Sequence, residues 1–528
     1  MKRFKLISLA CLLTLFGVLV SFGASNSKDE NRTQLNKFNQ FFSLLANYYI
    51  EDLDSPQLVE SAIRSVLSEL DPHSAYYTAD EMASIKESFE GEFSGVGIEF
   101  NVMDDTLRVV NTIIGGPAEK VGVMANDRIV CIDTLNAIGI SQSEVPKRLK
   151  GATGSRVDID VVRAGESDLL HFSIIRDKIP INTVDAAYKL TPTSGYIKVN
   201  RFGETTMEEF YEAYNKLGEV ESLVVDLRGN GGGLLSQAIE MAGFFLPKGS
   251  LVVTTEGDGT PTQTLRSTRE GVFQSGKVVI MIDQSSASAS EIVAGAIQDW
   301  DRGVVVGETS FGKGLVQRQF TLADESAVRI TVSRYHTPSG RVIQRPYTKG
   351  QKEEYFKSGV ERSGDEEVDC DAPIFKTLKL GREVYGGGGI TPDIEILGDT
   401  TKLSAEYAKL IRRGVLNKYT ISYLDKNRTK LVNQYPTFES YASGFEVTQQ
   451  MIGSLVKMAT DEGLEFEKLD LQSLKSESEV YIKSLLAQRL YSTSSFYEIM
   501  NKSDTLTFSR IEKLLENWEN ELKTIWYK

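Results

Sequence analysis

Cysteine and histidine are scarce: three of each in 528 residues. Cys11, Cys131 and Cys370 lie far apart, and His73, His171 and His336 are scattered. No Cys/His set therefore has the spacing of a metal site, and no cofactor is called for. Cys131 sits in the apolar run Ile129-Val130-Cys131-Ile132, which predicts a buried free thiol. Positive charge is also short. Lysine and arginine number 59 against 73 acidic residues, a net charge of −14, and no basic run follows the N-terminus. That excludes a dedicated nucleic-acid binder.

A targeting segment is present. Lys2, Arg3 and Lys5 precede an apolar run from Leu6 to Phe22, then Gly23, Ala24 and Ser25. This is the layout of a signal peptide over residues 1–25. The run is just long enough to remain as an uncleaved anchor, which leaves membrane association open. Either way the expected location is outside the cytoplasm, in the periplasm or cell envelope.

The length calls for three or four domains. Over 26–86 the pattern is helical, with Phe41, Leu44, Leu45 and Tyr48, then Leu58, Ala62, Val66 and Leu70, at three- and four-residue spacing. Over 87–178 it changes to short strands and turns. The glycine loop Gly95-Val96-Gly97-Ile98, then Gly116-Pro117-Ala118, then Asn126-Asp127-Arg128-Ile129 come in an order that resembles a PDZ domain. In that family the glycine loop takes the terminal carboxylate of a peptide that adds as an extra strand. Over 179–400 buried strands such as Leu223-Val224-Val225-Asp226 and Val278–Ile282 alternate with helices, predicting a mostly parallel sheet. Over 401–528 the chain is rich in helix formers, with helices expected at Phe445–Ala459, Val480–Tyr491 and Ile511–Trp526.

Chemistry concentrates after three strands. Ser286-Ala287-Ser288-Ala289-Ser290-Glu291 opens a helix, where free amides stabilise developing negative charge. Spacing alone does not choose among its serines, and a serine-rich helix cap is the plain structural alternative. Asp226-Leu227-Arg228-Gly229-Asn230-Gly231-Gly232-Gly233 misses a dinucleotide fingerprint because Leu234 stands where glycine is needed. It reads as a bare-backbone turn offering an amide to an oxyanion. Gly307 to Lys313 spells G-x-x-x-x-G-K, but Gly314 replaces the Ser/Thr of a P-loop and a strand pattern follows. Nucleotide binding is the weaker reading. The stronger one makes Lys313 a buried base, with Gln317, four residues on, holding the amine. A triad using His336 is a further alternative.

The whole order resembles the carboxyl-terminal processing (tail-specific) peptidases, as do Tyr335-His336-Thr337-Pro338-Ser339-Gly340-Arg341 and Gly389-Ile390-Thr391-Pro392-Asp393. The likeness covers about His73 to Ile396. It implies Ser288 as nucleophile, Lys313 as general base and Gln317 as its orienter. The amides of Ala289 and Gly232 would form the oxyanion hole. It also implies a crotonase-like α/β core with an inserted PDZ-like domain that binds protein or peptide C-termini. A non-catalytic PDZ scaffold is the competing function, and self-association is left open.

Overall fold

The computed structural model describes residues 29–103, 105–113, 115–124, 126–163, 166–360, 372–397 and 403–526. The signal layout, Cys11 and Cys370 lie outside them. Two compact units divide at Leu70 and Asp71.

The first unit holds a helix over 29–48 and a second at Ser55–Ser68. The Asp54 carboxylate caps the second by accepting from the Gln57 amide, with Pro56 in the first turn. The predicted apolar spacing is present, but Phe41, Leu44 and Tyr48 are exposed.

The second unit is built around a six-stranded sheet in the order Val184–Thr191, Ser194–Val199, Ser222–Asp226, Lys277–Ile282, Val304–Gly307, Ile394–Glu395. The first pair is antiparallel and every later pair is parallel. Its central strands are buried end to end, because helices cover both faces. Thr206–Leu217, Leu235–Phe245 and Ala289–Asp299 pack on one face through residues such as Phe210, Met241 and Val293. The other face is covered by Thr505–Glu516 and Trp518–Trp526, with Phe508, Ile511 and Leu514 against Val224, Val279 and Val304. Residues 505–526, part of the segment read as a separate helical domain, thus pack on the sheet.

A second sheet carries Leu315–Thr321 and Ala327–His336 as a hairpin, joined by Leu251–Gly257, Thr260–Arg266 and Ala75–Tyr77. The last strand falls inside the segment read as helical, and pairs with Ala327 to Arg329.

Between these elements sits a small antiparallel β-domain in the order Ile98–Met103, Thr106–Thr112, Arg128–Ile132, Arg156–Val162, Leu170–Ile175. The chain enters by Glu92–Gly95 and leaves by Asp177–Pro180, and these two strands pair with each other. Cys131 lies in this domain. It is a free thiol, half-buried rather than buried, and its Sγ donates to the Asp133 carbonyl at 3.3 Å.

Residues 403–504 form a helical domain with its own core, including Leu416, Ile452, Ile482 and Leu486. The helix expected from Phe445 starts at Gln449, where the Thr448 side chain caps it. That expected at Val480–Tyr491 is the second half of a longer helix, Leu471–Leu490. Among the described residues no helix is long and apolar enough to cross a membrane.

Candidate active site

The site forms where the loops after three parallel strands meet. The strand Lys277–Ile282 ends in Asp283, and the chain turns sharply through Ser286 and Ala287 into the helix Ala289–Asp299. Ser288 sits at that corner with φ 56° and ψ −112°. A non-glycine residue in this region is unusual and needs surroundings that hold it there.

Those surroundings come first from the glycine loop. The Asn230 carbonyl accepts from the Ala287 amide at 3.0 Å and from Ser290 Oγ at 2.9 Å. Ser286 Oγ donates to the Leu227 carbonyl at 2.8 Å. Two serines of the run therefore spend their hydroxyls on backbone carbonyls and are fully buried, whereas Ser288 is half-buried. Gly232 approaches closest. With φ +99°, a side-chain carbon built there would lie 2.7 Å from the Ala287 carbonyl oxygen, 2.8 Å from Ser288 Cβ and 3.0 Å from the Ala289 nitrogen. Only glycine fits. Its amide donates to Asn230 Oδ1 at 2.8 Å.

The second clamp is Glu291, a residue that the sequence reading left without a role. Its buried carboxylate accepts four hydrogen bonds. Oε1 takes Ser310 Oγ at 2.6 Å and the Gly312 amide at 2.7 Å. Oε2 takes the Ser288 amide at 2.7 Å and the Lys313 amide at 2.9 Å. One oxygen thus holds the backbones of Ser288 and Lys313 within two hydrogen-bond lengths of each other. Burial pushes the Glu291 carboxyl up, while the four donors favour its anion. The signal for it was a glutamate three residues after a helix-opening serine.

Lys313 is half-buried, and its amine is held below the ordinary lysine range. Burial is the main cause and Arg329 adds to it, against the opposing pull of Glu291 and Asp71. After Gly314 the chain enters the strand Leu315–Thr321 rather than a helix. The Gly312 and Lys313 amides are already given to the Glu291 carboxylate, and those of Ser310 and Phe311 to the Ile390 and Ser286 carbonyls.

Gln317 is not bonded to Lys313 in this arrangement. Its Nε2 donates to the Leu315 carbonyl at 3.1 Å, and Lys313 lies in the loop before the strand Leu315–Thr321, so strand alternation does not carry back to it. His336 stands apart from the serine run: Nδ1 contacts the Gly340 carbonyl at 3.1 Å and Nε2 lies 3.5 Å from Glu256.

Beneath the glycine loop, Asp226 accepts from Tyr196 at 2.7 Å and pairs with Arg228 and Lys198. Burial opposes its ionisation, but the two cations hold it well below the usual carboxylate range.

In the β-domain, Gly95 and Val96 are buried, Gly97 turns with φ +75°, and Ile98 opens the strand Ile98–Met103 at the edge of its sheet. The Val96 and Gly97 carbonyls accept from Ala118 and Ile113 at 2.9 Å each.

Residues 193–351 match the model of peptidase family S41. Residues 20–81 match the N-terminal domain of the activating protease CtpB, and 407–492 match a family of unknown function. The chain is similar to a carboxy-terminal-processing protease of Bartonella bacilliformis, 34% identical over 61% of this chain and 75% of that protein. It is also similar to the carboxy-terminal processing protease CtpB of Bacillus subtilis, 32% identical over 63% of this chain and 72% of that protein. Among solved structures, a photosystem II D1 C-terminal processing protease is 28% identical over 69% of this chain and 88% of that chain, with a TM-score of 0.34.

Proposed function

Since the chain belongs to the carboxy-terminal processing proteases of peptidase family S41, serine-type peptidases, we propose that it cuts near protein C-termini with Ser288 as nucleophile and Lys313 as base. The observation that carries this reading is the shared carboxylate oxygen of Glu291, which ties the serine corner to the lysine loop.

In this mechanism neutral Lys313 takes the hydroxyl proton as Ser288 Oγ attacks the peptide carbonyl. The resulting ammonium returns that proton to the leaving amine. Lys313, neutral again, draws a proton from the water that attacks the acyl-enzyme and passes it to the departing Ser288 Oγ, which restores both groups. The Ala289 amide, first in its helix, and the Gly232 amide receive the oxyanion, each contributing about 3–4 kcal/mol to the barrier. Gly232 then exchanges Asn230 Oδ1 for the substrate oxygen. Gln317 orients the lysine once its amide leaves the Leu315 carbonyl.

The core is read as crotonase-like and the β-domain as PDZ-like. The edge position of Ile98–Met103 supports the second reading, because a peptide adds there as one more strand with its carboxylate at Gly95 to Ile98. The protein acts outside the cytoplasm, on envelope proteins.

The test is incubation of wild type and Ser288→Ala with an envelope proteome, followed by mapping of new C-termini. Wild type is expected to create them and Ser288→Ala to create none. Equal cleavage by both would reject Ser288.

A further inference from the structure

The Leu-Asp-Pro-His turn at residues 70–73 has no part in the mechanism above, yet His73 and Asp71 are buried beside the lysine loop. We propose that His73, Tyr355 and Gln344 form a brace that positions Lys313 for proton transfer by gripping the backbone on both sides of it. This inference rests on Lys313 being the base.

The grip is a closed set of hydrogen bonds. On the C-terminal side, the Gly314 amide donates to Gln344 Oε1 at 2.9 Å. Gln344 Nε2 then donates to the Tyr355 hydroxyl at 3.0 Å. On the N-terminal side, that hydroxyl donates to the Gly312 carbonyl at 3.4 Å. His73 Nε2 lies 3.2 Å from the same oxygen, with the two rings edge to face at 5.3 Å. With His73 as the Nε2–H tautomer every proton is placed: the Tyr355 oxygen accepts two and donates one. Tyr355 and His73 are 4% and 9% exposed, so water does not substitute for either partner.

The far end is anchored as firmly. Asp71 accepts from the His73 and Ser74 amides at 2.9 Å each and from Thr331 Oγ1 at 2.9 Å. Thr331 is the cross-strand partner of Gln317. Arg345 lies 4.4 Å over the Tyr355 ring and donates to the Tyr355 carbonyl. Burial drives the His73 imidazole down to about 3; Lys313, Lys352 and Arg345 push the same way, and Asp71 opposes them. The brace is therefore uncharged through any ordinary assay range. A change in pH profile on altering it reports Lys313, not His73.

The brace is tested with the full chain on a peptide chosen from the mapped cleavages. Tyr355→Phe removes one hydroxyl. It should lower kcat about tenfold, leave KM within about twofold and displace the Lys313 limb of the pH profile. His73→Gln, which keeps an N–H donor, should retain more activity than His73→Ala. Wild-type kcat in Tyr355→Phe, or a loss confined to KM, overturns the brace, as does equal activity of the two His73 variants. Ser288→Ala in the same assay separates the two readings. If it still cuts, the mechanism fails; if it is silent while Tyr355→Phe is fully active, only the brace fails.

Discussion

Lysine is a poor base at neutral pH because its ordinary value is about 10.4. Here burial and Arg329 lower it, and Glu291 and Asp71 limit how far it falls. Two consequences follow with definite sign. Activity needs the neutral amine, so kcat/KM rises with pH through a limb below the ordinary lysine value. Stability runs the same way. Between the folded and unfolded values the unfolded chain binds the proton more tightly, so stability rises with pH across that window. At this scale the sequence was read unevenly. The residue types of a serine and a lysine were visible. Spacing alone did not choose among the serines and the resemblance pointed to Ser288; its backbone angle, and the carbonyls that claim the hydroxyls of Ser286 and Ser290, support that proposal. Gln317 was placed by counting four residues along a strand from Lys313, but the strand begins only at Leu315, so the count alone does not fix where the two side chains stand.

Elements were legible where burial leaves an uninterrupted apolar run. Ser222–Asp226 and Lys277–Ile282 follow that rule, since neither face of the sheet meets water. Ala75–Tyr77 was missed because three residues carry no periodicity, and its partner lies some 250 residues away in the chain. The expected Ile511–Trp526 helix is two helices, one ending at Glu516 and the other starting at Trp518. Together they cover the sheet that carries the site. Phe508 is 5% exposed against that sheet, and its ring also touches Tyr196 at 6.1 Å. Phe508→Ala is expected to cost about 3 kcal/mol in urea unfolding. A cost under about 1 kcal/mol would mean that these helices do not belong to the core.

Across the molecule, composition divides the chain where packing does not. The helical region at 401–528 contains both an independent core and the last layer of the peptidase sheet. It also holds the β-domain. Arg108, on Thr106–Thr112, pairs at 2.5 Å with Asp425 on the helix Val415–Gln434, and both side chains are under one-fifth exposed. Burial pushes the Asp425 carboxyl up and Arg108 opposes it. Each partner keeps one buried polar atom without a hydrogen bond, Arg108 Nε and Asp425 Oδ1. Such a pair is costly to break from one side. Asp425→Asn should therefore speed hydrogen exchange in Thr106–Thr112 and Val415–Gln434 together. Unchanged exchange in both would show that the contact does not hold the β-domain.

The central claim is a serine activated by a lysine whose proton is loosened by its surroundings. The pH dependence of kcat/KM for wild type beside Lys313→Ala tests it most directly. Wild type is expected to show a limb below about 10.4, and Lys313→Ala a loss of at least about 10²-fold together with disappearance of that limb. A Lys313→Ala enzyme that keeps both its rate and its limb would contradict it.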